Sequence, residues 1–146
     1  MNTLQTVSTL ERILLLREVP IFGDLSPEDL KQVAEIAQEQ WIPDGTIICR
    51  DGEDGDSMYI LVAGQVQILK GVEGSEKILA VREAGDFVGE MAIIESGPRV
   101  ATVRALGDVR ALVIDGDAFN AILRDRQNVA ISVMRTLSRR LREMVS

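Results

Sequence analysis

Polar and apolar residues change their rhythm twice along this chain. Leu4, Val7, Leu10, Ile13 and Leu14 recur at helical spacing, so the N-terminus begins as an amphipathic helix. Ser26-Pro27-Glu28-Asp29 predicts the start of a second helix. A serine hydroxyl there accepts from an early backbone N–H, and proline at the first helical position removes a donor that would have had no partner. From Gln40 the apolar runs shorten and become β-rich. They are punctuated by Pro43-Asp44-Gly45, Asp51 to Ser57, Gly71 to Glu76, Glu83-Ala84-Gly85, Ser96-Gly97-Pro98 and Leu106-Gly107-Asp108. Turns at that frequency imply a sandwich or barrel. Gln65-Val66-Gln67-Ile68 alternates as a strand with one wet face should, whereas Ala111-Leu112-Val113-Ile114 reads as buried on both faces.

After Asp115-Gly116-Asp117 the helical period returns. Phe119, Ile122 and Leu123 fall in one helix, and Ala130, Val133, Met134, Leu137, Leu141 and Met144 are expected on one face of the last. The fold class is therefore mainly β with flanking helices (α+β), a β jelly-roll barrel with helices at both ends and a short helix within it. The 146 residues form one domain, divided into a helical lead-in (1–38), the barrel (39–116) and C-terminal helices (117–146).

Composition narrows the chemistry. A chain of this length buries a core without disulfides or metal. Its net charge of −7 is uneven, because residues 119–146 carry six arginines against Asp125 and Glu143, a net +4 that leaves −11 on the remainder. An acidic body repels nucleic acid, and the arginine run reads as a solvated helix face. Cys49, the only cysteine, sits in the apolar run Thr46-Ile47-Ile48-Cys49 and reads as a small buried hydrophobe. The longest N-terminal apolar block, Ile13 to Leu16, fits neither a secretory signal nor a membrane span, so the expected location is the cytoplasm, with no membrane contact. There is no histidine, which removes the usual general base and the usual metal ligand. No Gly-x-Ser-x-Gly or P-loop arrangement replaces them, so no catalytic residue and no metal site is assigned. Asp51, Glu53, Asp54 and Asp56 resemble a calcium loop only superficially, since Gly55 is misplaced and Val62 stands where the closing acid would be.

One stretch carries chemistry of its own. Phe87 to Thr102 reads Phe-Val-Gly-Glu-Met-Ala-Ile-Ile-Glu-Ser-Gly-Pro-Arg-Val-Ala-Thr. Gly89 ends a strand-like run and permits a close turn, after which Glu90 to Ile94 forms a single helical turn with outward N–H groups suited to phosphate. Arg99 follows a Ser-Gly-Pro turn that folds it back over the same spot, where a planar guanidinium grips two phosphate oxygens. Glu90 beside an anion needs a donor of its own, and a ribose 2′-hydroxyl is the natural one.

Gly89-Glu90-Met91-Ala92-Ile93-Ile94 with Pro98-Arg99-Val100-Ala101-Thr102-Val103 resembles the phosphate-binding cassette of cyclic-nucleotide-binding domains. These occur in bacterial cyclic-AMP-responsive regulators, protein kinase A regulatory subunits and cyclic-nucleotide-gated channels. The run Asp51 to Val66 is similar to the family's preceding strand and turn, and Leu16 to Phe22 with Leu25 and Leu30 to its helical lead-in. The resemblance implies a cyclic-nucleotide ligand, cyclic AMP with cyclic GMP as the other candidate. Gly89, Glu90, Met91, Ala92, Pro98, Arg99, Val100, Ala101 and Thr102 would line the site, with backbone N–H groups around Ala92 and Val100 adding to the phosphate cradle. Thr102 is either a hydroxyl donor or simply a β-favouring residue. Cyclic-GMP-selective members commonly have threonine where Val100 stands. The last helix resembles the family's lid and brings Arg140 to the base; an ordinary wet arginine face is the other reading. The expected function is a non-catalytic sensor in which ligand favours a closed lid, read by a second copy or a protein partner. The rivals are a scaffold of the same fold with an empty pocket, and a fragment of a cyclic-AMP-responsive transcription regulator, whose DNA-binding segment would follow Ser146.

Overall fold

The computed structural model describes residues 2–72 and 74–145, with side chains from Thr9 onward. In chain order the elements are α1 (Asn2–Arg17), α2 (Pro27–Ile36), β1 (Ala37–Ile42), β2 (Ile47–Cys49), β3 (Ser57–Lys70), β4 (Lys77–Glu83), β5 (Phe87–Val88), α3 (Glu90–Ile94), β6 (Thr102–Asp115), α4 (Gly116–Asp125) and α5 (Gln127–Met144). They form two compact units: a helical unit from both ends of the chain, up to Ala37 and from Ala118, and a strand unit, Gln38–Asp117.

In the helical unit, α2 starts where its cap predicts. The Asp29 N–H donates to Ser26 Oγ at 3.2 Å and Pro27 occupies the first turn. Leu30, Val33 and Ala34 are buried at the spacing of one helix face. Phe22 and Phe119 meet edge to face with centroids 6.2 Å apart. The outer helices depart from their expected stripes. Leu10 and Leu14 of α1 are exposed while Leu16 is fully buried. Two residues turn a helix by about 200°, so burial of Leu16 carries Leu14 outward. Leu4 and Val7 lie outside the described side chains. On α5 the buried residues are Val129, Val133 and Thr136, whereas Met134, Leu141 and Met144 are exposed. The apolar positions thus divide between two faces, and Thr136 tolerates burial because its hydroxyl donates to the Ser132 carbonyl at 3.0 Å.

The strand unit is one antiparallel system in the order β1-β6-β3-β4, with β2 added to β6 and β5 to β3. The first half of β3 pairs with β5 and the end of β6, and the second half with β4 and the start of β6. Between these halves the β3–β6 register shifts twice, from Leu61 to Gln65. The Leu106-Gly107-Asp108 turn expected from the sequence is this shift. It bends β6 without ending it, as a bulge does. Gly64 makes the bend feasible: its φ is 92°, and an added Cβ would lie 2.4 Å from the Asp108 carbonyl oxygen. Inside the bend Ile42, Leu61, Val66, Val88, Val103, Val109 and Ala111 pack with the buried Cys49 thiol. Glu73, in the Gly71 to Glu76 turn, lies outside the described residues. No described helix is long and apolar enough to cross a membrane.

Candidate functional site

The short strand β5 is held against β3 through Tyr59↔Val88 and Ile60↔Phe87, and this fixes where the chain leaves the sheet. It leaves through Gly89, at φ 88° and ψ 2°, a left-handed conformation in which a side chain would be strained. α3 follows at once. Ala92 and Ile93 are buried while Met91 and Ile94 face outward. Glu90, its first residue, is only 9% exposed, although a carboxylate at a helix start ordinarily stays in water. The Glu95 N–H donates to the Met91 carbonyl at 2.9 Å and the Gly97 N–H to the Ala92 carbonyl at 3.2 Å, closing the helix and turning the chain through Ser96 at φ 56°.

Arg99 comes back from that turn with 8% of its surface exposed. Its backbone is fastened to the Asp51–Ser57 turn on both sides. Arg99 N–H donates to the Glu53 carbonyl at 2.7 Å, the Gly52 N–H donates to the Arg99 carbonyl at 2.8 Å, and Asp54 bridges Pro98. Its guanidinium donates from Nη1 to the Gly89 carbonyl at 2.9 Å and from Nη2 to the Ser57 carbonyl at 2.7 Å. Those two contacts orient the cation without cancelling its charge, so its attraction for an anion is retained. Burial pushes the Cys49 thiol pKa up; the positive charge of Arg99 lowers it in part and the negative charge of Glu90 raises it. Both charges therefore act at the Cys49 end of β2. Burial likewise raises the Tyr59 hydroxyl pKa, with Cys49 adding to the rise and Arg99 opposing it.

The other residues picked out by sequence are less uniform. Val100 is 52% exposed, and its carbonyl accepts from Lys70 Nζ at 2.8 Å while Lys70 pairs with Asp51 at 2.9 Å. Pro98 is exposed, and Ala101 is half-buried at the approach to β6. Thr102 opens β6, and its Oγ1 accepts from the Asp51 N–H at 3.1 Å, so the hydroxyl is engaged in joining two segments of the strand unit. Arg140 is a half-buried residue of α5, in the helical unit. Gly89, Glu90, Ala92 and Arg99 are thus gathered by short local geometry, and the outward side chains of Met91 and Val100 flank them. What sequence reasoning did not connect was the Asp51–Ser57 turn, whose backbone is spent on Arg99 more than 40 residues later. Among the described residues no group of three His, Cys, Asp or Glu side chains could hold a metal ion.

Comparison with known proteins identifies the family. Residues 39–126 match the family described as Cyclic nucleotide-binding domain. A CRP-like cAMP-activated global transcriptional regulator of Mycobacterium tuberculosis is 31% identical over 129 residues, covering 88% of this chain and 58% of the regulator. The regulatory domain of Toxoplasma gondii PKA, solved with cAMP, shares 32% identity at a TM-score of 0.71, over 78% of this chain and 44% of that one. The regulatory subunit of a cAMP-independent protein kinase A from Trypanosoma brucei has a TM-score of 0.76 at 25% identity, over 90% of this chain and 48% of that one. The family match takes in all of the strand unit but its first residue and runs on through α4, and the chain accordingly belongs to the cyclic nucleotide-binding domain family.

Proposed function

We propose that this chain is a cytoplasmic, non-catalytic sensor module that binds cyclic AMP. The observation that carries the proposal is the buried Arg99 guanidinium, oriented by two main-chain carbonyls beside the equally buried Glu90. A cation taken out of water at that cost is well matched to a singly charged phosphodiester. Arg99 would take the phosphate oxygens, Glu90 the ribose 2′-hydroxyl, and the main chain around Ala92 and Val100 the remaining phosphate lone pairs. Met91, Pro98, Ala101 and Thr102 would shape the rest of the site, and Arg140 on α5 would contribute at the base. The Mycobacterium tuberculosis regulator, described as cAMP-activated, and the Toxoplasma gondii domain, solved with cAMP, support the choice of ligand. A second copy or a protein partner would read the bound state through α5.

The Trypanosoma brucei subunit, which belongs to a protein kinase A described as cAMP-independent, favours a second reading, in which the fold serves as a scaffold without ligand. Calorimetric titration with cyclic AMP and cyclic GMP separates the two. The sensor binds, and ligand at ~100 times Kd adds about 2.7 kcal/mol to its stability. A scaffold gives no heat and no thermal shift.

A further inference from the structure

Gly55 has a role that its backbone does not explain. Its φ is not in the left-handed region, so an alanine could adopt the same conformation. What an alanine could not do is fit. A Cβ on Gly55 would lie 2.5 Å from the Ala92 Cβ, 2.6 Å from Arg99 Nε and 2.7 Å from Arg99 Cζ. All three fall far inside the roughly 3.5–4.0 Å at which such atoms rest against each other. The guanidinium therefore lies directly on the bare Cα of Gly55. Nor can the turn retreat, because Gly52, Glu53 and Asp54 are tied to Pro98 and Arg99, and the Asp56 carbonyl accepts from the Gly116 N–H at 2.8 Å. The mobile party to the overlap is the end of the arginine side chain.

Resting on the reading of Arg99 as the phosphate contact, we infer that Gly55 is a positioning residue, whose missing side chain sets the depth and tilt of the Arg99 fork. Gly89 also crowds the fork, since an added Cβ there would lie 2.5 Å from Arg99 Nη1, but its φ of 88° would confound any substitution with backbone strain. Gly55 is the clean probe. The acidic turn Asp51–Ser57, which looks like a failed cation loop in the sequence, is on this view the bed of the anion-binding arginine.

The test is a double-mutant cycle on the full chain, titrated with cyclic AMP. Lysine at position 99 keeps the charge but has no flat group lying on residue 55. Gly55→Ala alone should weaken binding by about tenfold or more, the scale of one charge-assisted hydrogen bond. Added to Arg99→Lys it should cost less than about threefold further. Equal losses in both backgrounds overturn the inference. The cycle is repeated in an Ala92→Gly background, which removes the methyl overlap and guards against poor folding of Gly55→Ala; a loss that disappears there also overturns it. A native chain that binds no cyclic AMP defeats the proposed function and leaves this inference to thermal unfolding of the same variants. Non-additive Tm shifts for Gly55→Ala and Arg99→Lys then support it, and additive shifts refute it.

Discussion

The two units of this protein bury charge in opposite ways. In the helical unit, Asp29 is 6% exposed and meets Arg126 Nη1 at 3.1 Å, with Glu28 a further 3.7 Å contact of the same nitrogen. That arginine is answered by acids of its own unit. In the strand unit, the Arg99 terminal nitrogens are directed by the neutral carbonyls of Gly89 and Ser57. The difference separates an internal fastening from a site. A charge pair closed on itself contributes stability, whereas a cation positioned by dipoles keeps an interaction in reserve for something that arrives from solution.

The strongest test of that contrast is Arg99→Ala. With ligand bound, Arg99 and the phosphate would form a buried charge pair, and losing one partner of such a pair costs about 3–5 kcal/mol, so cyclic AMP affinity should fall by at least two decades in calorimetry. The fold should survive, because alanine retains the main-chain bonds to Gly52 and Glu53. Binding unchanged within about threefold would show that Arg99 belongs with the structural charges after all. Arg126→Ala should do the reverse: about 1.5–3 kcal/mol of stability lost in urea unfolding, with cyclic AMP affinity unaltered. A matching loss of affinity would erase the distinction between the units.

Glu90→Gln keeps the shape and removes the charge that strengthens the ribose contact, so a milder fall of roughly tenfold is expected. The 2′-deoxy analogue should show the same weakness on the native chain and none further on Glu90→Gln. If the deoxy compound binds the native chain as well as cyclic AMP does, Glu90 has another role. The smallest effect should come from Val100→Thr. The residues are nearly isosteric and the site is half open to solvent, so one hydrogen bond of ~0.5–1.5 kcal/mol would raise cyclic GMP relative to cyclic AMP by a few fold up to about tenfold. An unmoved ratio would send the search for base selectivity to Arg140→Ala.

Features settled by near neighbours are legible in this sequence, and those that need a distant partner are not. The Ser26 cap, the five-residue helix after Gly89 and the alternation around Val66 each depend on neighbours within a few residues, and each is present. The Leu106-Gly107-Asp108 segment reads as a turn but is a bulge, because glycine at positive φ serves both equally. Only its partner across the sheet, Gly64, decides between them. The α1 and α5 stripes failed for a related reason: apolar residues on two faces of one helix leave open which face meets the core. In the site, Gly89, Glu90 and Arg99 were legible because they lie within eleven consecutive residues. Gly55 was not, since its reason for being glycine is a side chain 44 positions away.

The solitary thiol at Cys49 gives this region a built-in gauge of its own opening. Burial pushes its pKa above the ordinary thiol value and keeps it away from reagents, so alkylation must wait for the strand unit to open. The rate at which iodoacetamide consumes that thiol would thus report how large a fraction of the time the region that holds Arg99 and Glu90 stands open. No label has to be introduced, and no second cysteine competes for the reagent.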